Sequence, residues 1–168
     1  MVAGKAFPGE DLGPARVAGA LAGLSPRARV VVAEAYTEAY RYASDFVGSG
    51  HLLPGLAADA SDAITSALNA RAVTTGTIRR QFQQSTGARP RESPRHIHLT
   101  FSHHAKAVLI HAADQARDTG SAATEVDHLW WALSRIEGSV AHHILSALGH
   151  LPHLEWLCAE ILPPPEPT

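Results

Sequence analysis

A chain of 168 residues in which 45% are hydrophobic and only 18% charged is long enough to bury a core and too apolar to stay disordered. Its formal charge of −2 gives no electrostatic reason to bind nucleic acid or an anionic membrane, and no apolar run approaches the ~18 residues of a membrane span. One cysteine, Cys158, excludes an intrachain disulfide and with it a disulfide-stapled secreted scaffold, so the expected location is the cytoplasm.

Residues 1–23 carry Gly4, Pro8, Gly9, Gly13, Pro14, Gly19 and Gly23, punctuation too frequent for a long helix, and are expected to form a flexible arm with at most a short helix over 15–22. From Ser25 the pattern sharpens. Ser25 is a good N-cap, Pro26 suits the first helical position, and Ala28, Val31, Val32, Ala35, Ala39 and Tyr42 follow helical spacing. A loop over 44–50 precedes a short helix opened by His51, in whose first turn Pro54 is tolerated. Ser61 is expected to cap a third helix holding Ile64, Ala67 and Leu68, and residues 74–84 supply a fourth with Ile78 and Phe82 on one side. Residues 87–98 read as a linker rich in Pro and Arg.

The second half repeats the first. At a constant offset of 77 residues, the separation of His51 and His128, Ser25 falls on Ser102, Ala28 on Ala105, Val31 on Val108, Leu56 on Leu133 and Leu68 on Leu145, with no gap. Ser102 caps a fifth helix that Gly120 closes; residues 126–135, 139–148 and 152–162 give three more, and 163–168 form a Pro-rich tail. The expected fold is all-α: two pseudo-twofold-related repeats of four helices, at 24–86 and 99–162, about eight helices in total.

Two stretches of each repeat carry a resemblance. Leu24-Ser25-Pro26-Arg27-Ala28-Arg29 and Phe101-Ser102-His103-His104-Ala105-Lys106 match an F-[TS]-x-x-A-[KR] helix start. Gly48-Ser49-Gly50-His51-Leu52-Leu53 and Glu125-Val126-Asp127-His128-Leu129-Trp130 match a G-[TS]-E-H-L-L segment. In these features, over residues 24–162, the chain resembles the N-terminal repeat domain of Clp/Hsp100 unfoldases of the ClpC and ClpA type. No G-x-x-x-x-G-K-[ST] phosphate loop of their AAA+ modules occurs in the sequence, so the resemblance implies a free-standing receptor module and no enzyme. Its implied partners are a Clp unfoldase, adaptors and tagged substrates, and its implied ligands include phosphoarginine and cyclic-peptide antibiotics.

Phosphoarginine needs free helix N–H groups for the phosphate and a carboxylate for the guanidinium. Carried over residue by residue, the second repeat keeps Ser102 and Asp127, with His103 beside the serine. The first keeps Ser25, followed by Arg27, but has Gly50 at the acidic position. The resemblance therefore implies one weak site, in the second repeat. Ser25 and Ser102 are equally explained as N-caps, and His51 and His128 as neutral rings bonded to backbone.

Two other functions compete with tag or adaptor binding. A decoy that sequesters cyclic-peptide antibiotics needs only the shared fold and a hydrophobic groove. The histidines of the second half, His96, His98, His103, His104, His111, His142, His143, His150 and His153, raise a metal-binding reading, against which stand the lack of cysteine partners and the divergent directions of adjacent pairs. Cys158, in an apolar helix, is expected to be inert; Trp130, Trp131 and Trp156 read as core or interface, and exposure of Trp130 or Trp131 would mark a binding surface.

Overall fold

The computed structural model describes residues 10–92 and 98–162. Nine α-helices lie in these residues: α1 Pro14–Ala22, α2 Pro26–Arg41, α3 Ser49–Ala58, α4 Ala63–Asn69, α5 Thr75–Thr86, α6 His103–Asp118, α7 Val126–Arg135, α8 Val140–Ala147 and α9 Leu151–Ile161. The fold is all-α, and its internal symmetry is set by the 77-residue offset. This offset carries α2 onto α6 and α3 onto α7, end to end. Left-handed residues recur in register too, Ala43 (φ 50°) with Gly120 (φ 73°) and Ala72 (φ 63°) with Gly149 (φ 78°). The chain turns at the same two points in each copy, although alanine adopts this conformation at a steric cost that glycine escapes.

Two short parallel pairings join the copies. Strand β1, Phe46–Val47, pairs with β2, Thr100–Phe101, and Leu24 bridges Thr124. The Ser102 N–H donates to the Val47 carbonyl and the Ser25 N–H to the Thr124 carbonyl, both at 2.9 Å. These bonds are each other's image under the offset. Each copy's first long helix is thus launched from a backbone bond to the other copy.

Helix α3 is the hub, packed on α2, α4, α5, α6, α7 and α8, and every residue from Ser49 to Ala57 is buried. Its image, α7, is amphipathic and carries the largest fully buried side chain, Trp130, whose indole N–H donates to Thr65 Oγ on α4 at 2.9 Å. One carboxylate lies deep as well. Glu38 is 1% exposed, accepts from Arg79 Nε at 2.9 Å and from Arg79 Nη2, and lies 3.7 Å from Arg41 Nε; the image of Glu38 is the neutral Gln115.

Three local expectations are corrected. Pro14–Ala22 is a docked helix rather than flexible arm: Val17 and Ala20 are buried, α1 packs on α6, and Arg16 pairs with Asp114 at 3.1 Å while Glu10 meets His111 at 2.6 Å. Helix α3 begins at Ser49, not His51, which places Pro54 in its second turn. Asp62, not Ser61, caps α4 through the Thr65 N–H at 2.9 Å, and Ser61 bonds to Asp59 instead. The expected tail at 163–168, residues 1–9 of the arm and 93–97 of the linker lie outside the described residues.

Candidate functional site

The two expected helix starts are built as caps. Ser25 Oγ accepts the Ala28 N–H at 3.1 Å and Ser102 Oγ the Ala105 N–H at 3.2 Å. The two paired histidines are backbone acceptors: His51 Nδ1 takes the Gly48 N–H and His128 Nδ1 the Glu125 N–H, each at 2.9 Å. An accepting Nδ1 fixes the proton on Nε2, which in His51 faces Ser44 Oγ at 3.3 Å. Burial pushes His51 down to about 4, against the pull of Glu38, and it also lowers His128, against Asp127 and Glu125. Both rings are neutral at pH 7 and hold the turn before α3 or α7.

Sequence reasoning paired Ser102 with Asp127 inside one repeat. The structure joins the elements crosswise. Ser102, His103 and His104, at the start of α6, face Ser49 and Gly50, at the start of α3, across a groove of about 410 Å³. Asp127 is not in its walls. The segment bearing Asp127 is instead tied, through the Ser25–Thr124 bond, to the start of α2. There Arg27 is held by Asp59 at 2.8 Å, and Asp127 Oδ1 is buried without a hydrogen-bond partner. Asp62 lies near enough for Asp127 to reinforce the upward push of burial on its carboxyl.

The α3–α6 groove is a carbon surface. Phe82 forms part of its wall, and Phe46 and Val140 stay 49% and 41% exposed at its mouth, unusual for side chains so apolar. A Cβ on Gly50 would come within 2.9 Å of Val140 Cγ1 and 3.1 Å of the Phe82 ring, so the acidic side chain of the E-H-L pattern has no room. Under the 77-residue offset Phe46, Phe82, Val140 and Gly50 correspond to Ala123, Ala159, Ala63 and Asp127. The groove carries three bulky apolar groups and no carboxylate, where the equivalent positions of the other copy hold three alanines and an acid. The loss of the acid at Gly50 was read from the sequence; the apolar residues that accompany it, Phe46, Phe82 and Val140, were the part of the signal passed over.

The remaining candidates fall elsewhere. Trp130 belongs to the core, Trp131 is half-buried under the Arg135 guanidinium at 5.1 Å, and Trp156 is 57% exposed with His153 stacked on it. Burial pushes the Cys158 thiol up to about 12, which leaves it no thiolate at pH 7. Among the described residues no three His, Cys, Asp or Glu side chains cluster as a metal site, and no helix is long and apolar enough to cross a membrane. His96 lies outside those residues.

Doubled helices and cross-bridged helix starts define an N-terminal repeat domain of the Clp class. Residues 23–148 match the model of the Clp repeat (R) N-terminal domain, and the chain belongs to that family. Over 123 residues it is 31% identical to the "negative regulator of genetic competence ClpC/MecB" of Bacillus subtilis, covering 73% of this chain but only 15% of that protein. The N-terminal domain of the chaperone ClpD from Arabidopsis thaliana superposes with a TM-score of 0.68 at 21% identity, over 85% of this chain and 99% of that one. A structure from a malarial protein secretion system superposes at 0.62 and 18% identity, over 82% and 93%.

Proposed function

We propose that the chain is a protein-interaction module, without catalytic activity of its own, that binds degradation tags or adaptors in the cytoplasm and modulates substrate delivery to a Clp unfoldase. The observation that carries this reading is the α3–α6 groove, open and apolar at Phe46 and Val140, where two helix starts from different repeats meet. Exposed aromatic and aliphatic groups around a concavity are what a protein or peptide anchor needs. Phosphoarginine is the finer ligand. Asp127 is the carboxylate for it, with Ser25 and Arg27 at the joined helix start, while Ser102 and His103 line a groove that has none.

A second reading, sequestration of cyclic-peptide antibiotics, is supported by the same apolar lining. The test is a fluorescence titration of phosphoarginine and of a cyclic peptide against the wild type, Asp127→Ala and Val140→Asp. Phosphoarginine binding abolished by Asp127→Ala supports tag recognition. Cyclic-peptide binding that ignores Asp127→Ala but is lost in Val140→Asp supports the decoy. For delivery, the degradation rate of a tagged substrate by a purified Clp unfoldase and protease is measured with and without the chain; an unchanged rate refutes modulation.

A further inference from the structure

The α3–α6 groove does not end at Val140. Past Val140 and Thr86, which wall both spaces, lies a second depression of about 470 Å³, bounded by Ser85 of α5 and by His142, His143 and Ser146 of α8. The halves differ in chemistry. One presents almost only carbon; the other is the more polar, with hydroxyls and imidazoles set among its carbon. No Asp, Glu, Lys or Arg lines either of them. An imidazole has an N–H to donate in both protonation states, and a protonated one also attracts an anion, so such a wall suits a carboxylate and gives a cation no counter-charge.

We infer that the two depressions form one bipartite peptide groove, seating a bulky apolar side chain among Phe46, Phe82 and Val140 and an adjoining acidic side chain against His142 and His143. This rests on the protein-binding reading above and specifies the segment bound. Charge complementarity selects the occupant, since an imidazole can become a cation but never an anion, so an acidic segment can find a counter-charge there and a basic one cannot. The equivalent positions of the other copy do not share this chemistry: Thr65 and Ser66 stand where His142 and His143 do, and Asp62 and Asp127 replace Ser139 and Gly50.

The experiment is fluorescence anisotropy on the full chain with labelled peptides Gly-Phe-X-Gly-Gly, in which X is Glu, Gln or Lys. The Glu peptide is expected to bind about tenfold tighter than the Lys peptide, a gap that shrinks to about twofold in His142→Gln/His143→Gln. Phe46→Ala, at an exposed position, should weaken all three alike. Circular dichroism checks that each variant folds, and His143→Gln alone, at an exposed position, serves if the double variant does not. Equal affinity for the three peptides overturns the acidic half while leaving the docking reading intact. Failure of all three to bind overturns both, and a Glu/Lys gap untouched by the histidine substitutions overturns the assignment to α8.

Discussion

Gly50→Ala tests whether the apolar groove was built at the expense of the family's acidic position. Gly50 lies in the first turn of α3 at a conformation open to any residue, so backbone preference alone would make alanine stabilising by about 1 kcal/mol. Against that, the new Cβ sits 2.9 Å from Val140 Cγ1, a β-branched side chain with few rotamers, and 3.1 Å from a Phe82 ring fixed by Tyr42 and His51. Overpacking of this kind costs about 2 kcal/mol. The net effect is a loss of about 1 kcal/mol, or about 3 °C in Tm for a domain this size. Adding Val140→Ala removes the nearest clash, so the double variant should be more stable than the sum of the single changes by about 1 kcal/mol. Urea denaturation of the four proteins measures this coupling. A stabilised Gly50→Ala, or strict additivity with Val140→Ala, would refute the packing argument.

Other perturbations probe the frame of the site. Arg79→Met removes the main partner of Glu38, and because Arg79 is partly exposed the loss should be about 2–3 kcal/mol; Glu38→Gln in the same chain should restore most of it, as the neutral Gln115 of the other copy implies. Thr65→Val strands the buried indole N–H of Trp130 and should cost about 1–2 kcal/mol with a change in tryptophan emission; unaltered stability would show that the bond contributes nothing. His51 binds a proton more readily unfolded, near pH 6.5, than folded, near 4, so its contribution is complete above about pH 6.5 and is lost as pH falls toward 4. The loss is at most about 3 kcal/mol. His51→Asn should flatten that slope in acid titrations followed by circular dichroism, and an unchanged slope would move the effect to other groups.

The helices and their duplication were legible because periodicity, caps and turn residues are local. Ser25 and Ser102, with apolar residues at helical spacing behind them, specify α2 and α6 without reference to anything distant. A short helix over 15–22 could be read, but not that it docks, since its support comes from α6 through Asp114 and His111, about a hundred positions away. The joining of Ser102 to the Gly50 segment was hidden for the same reason. It depends on the short β1–β2 pairing and on the bond from Ser102 to Val47, made by backbone groups that every residue but proline has. Apolar character at Phe46, Phe82 and Val140 could be read, but not that three separate elements would bring it to one opening.

The crossed bonds at Val47 and Thr124 bear on how such a chain could arise. A polypeptide holding a single copy would carry both halves of the bond yet could not close it on itself; two such molecules face to face would make it twice and enclose two identical clefts. Fusing them gives each cleft its own genetic address. A mutation then alters one and spares the other, and so Gly50 and Asp127 can occupy equivalent places in one molecule.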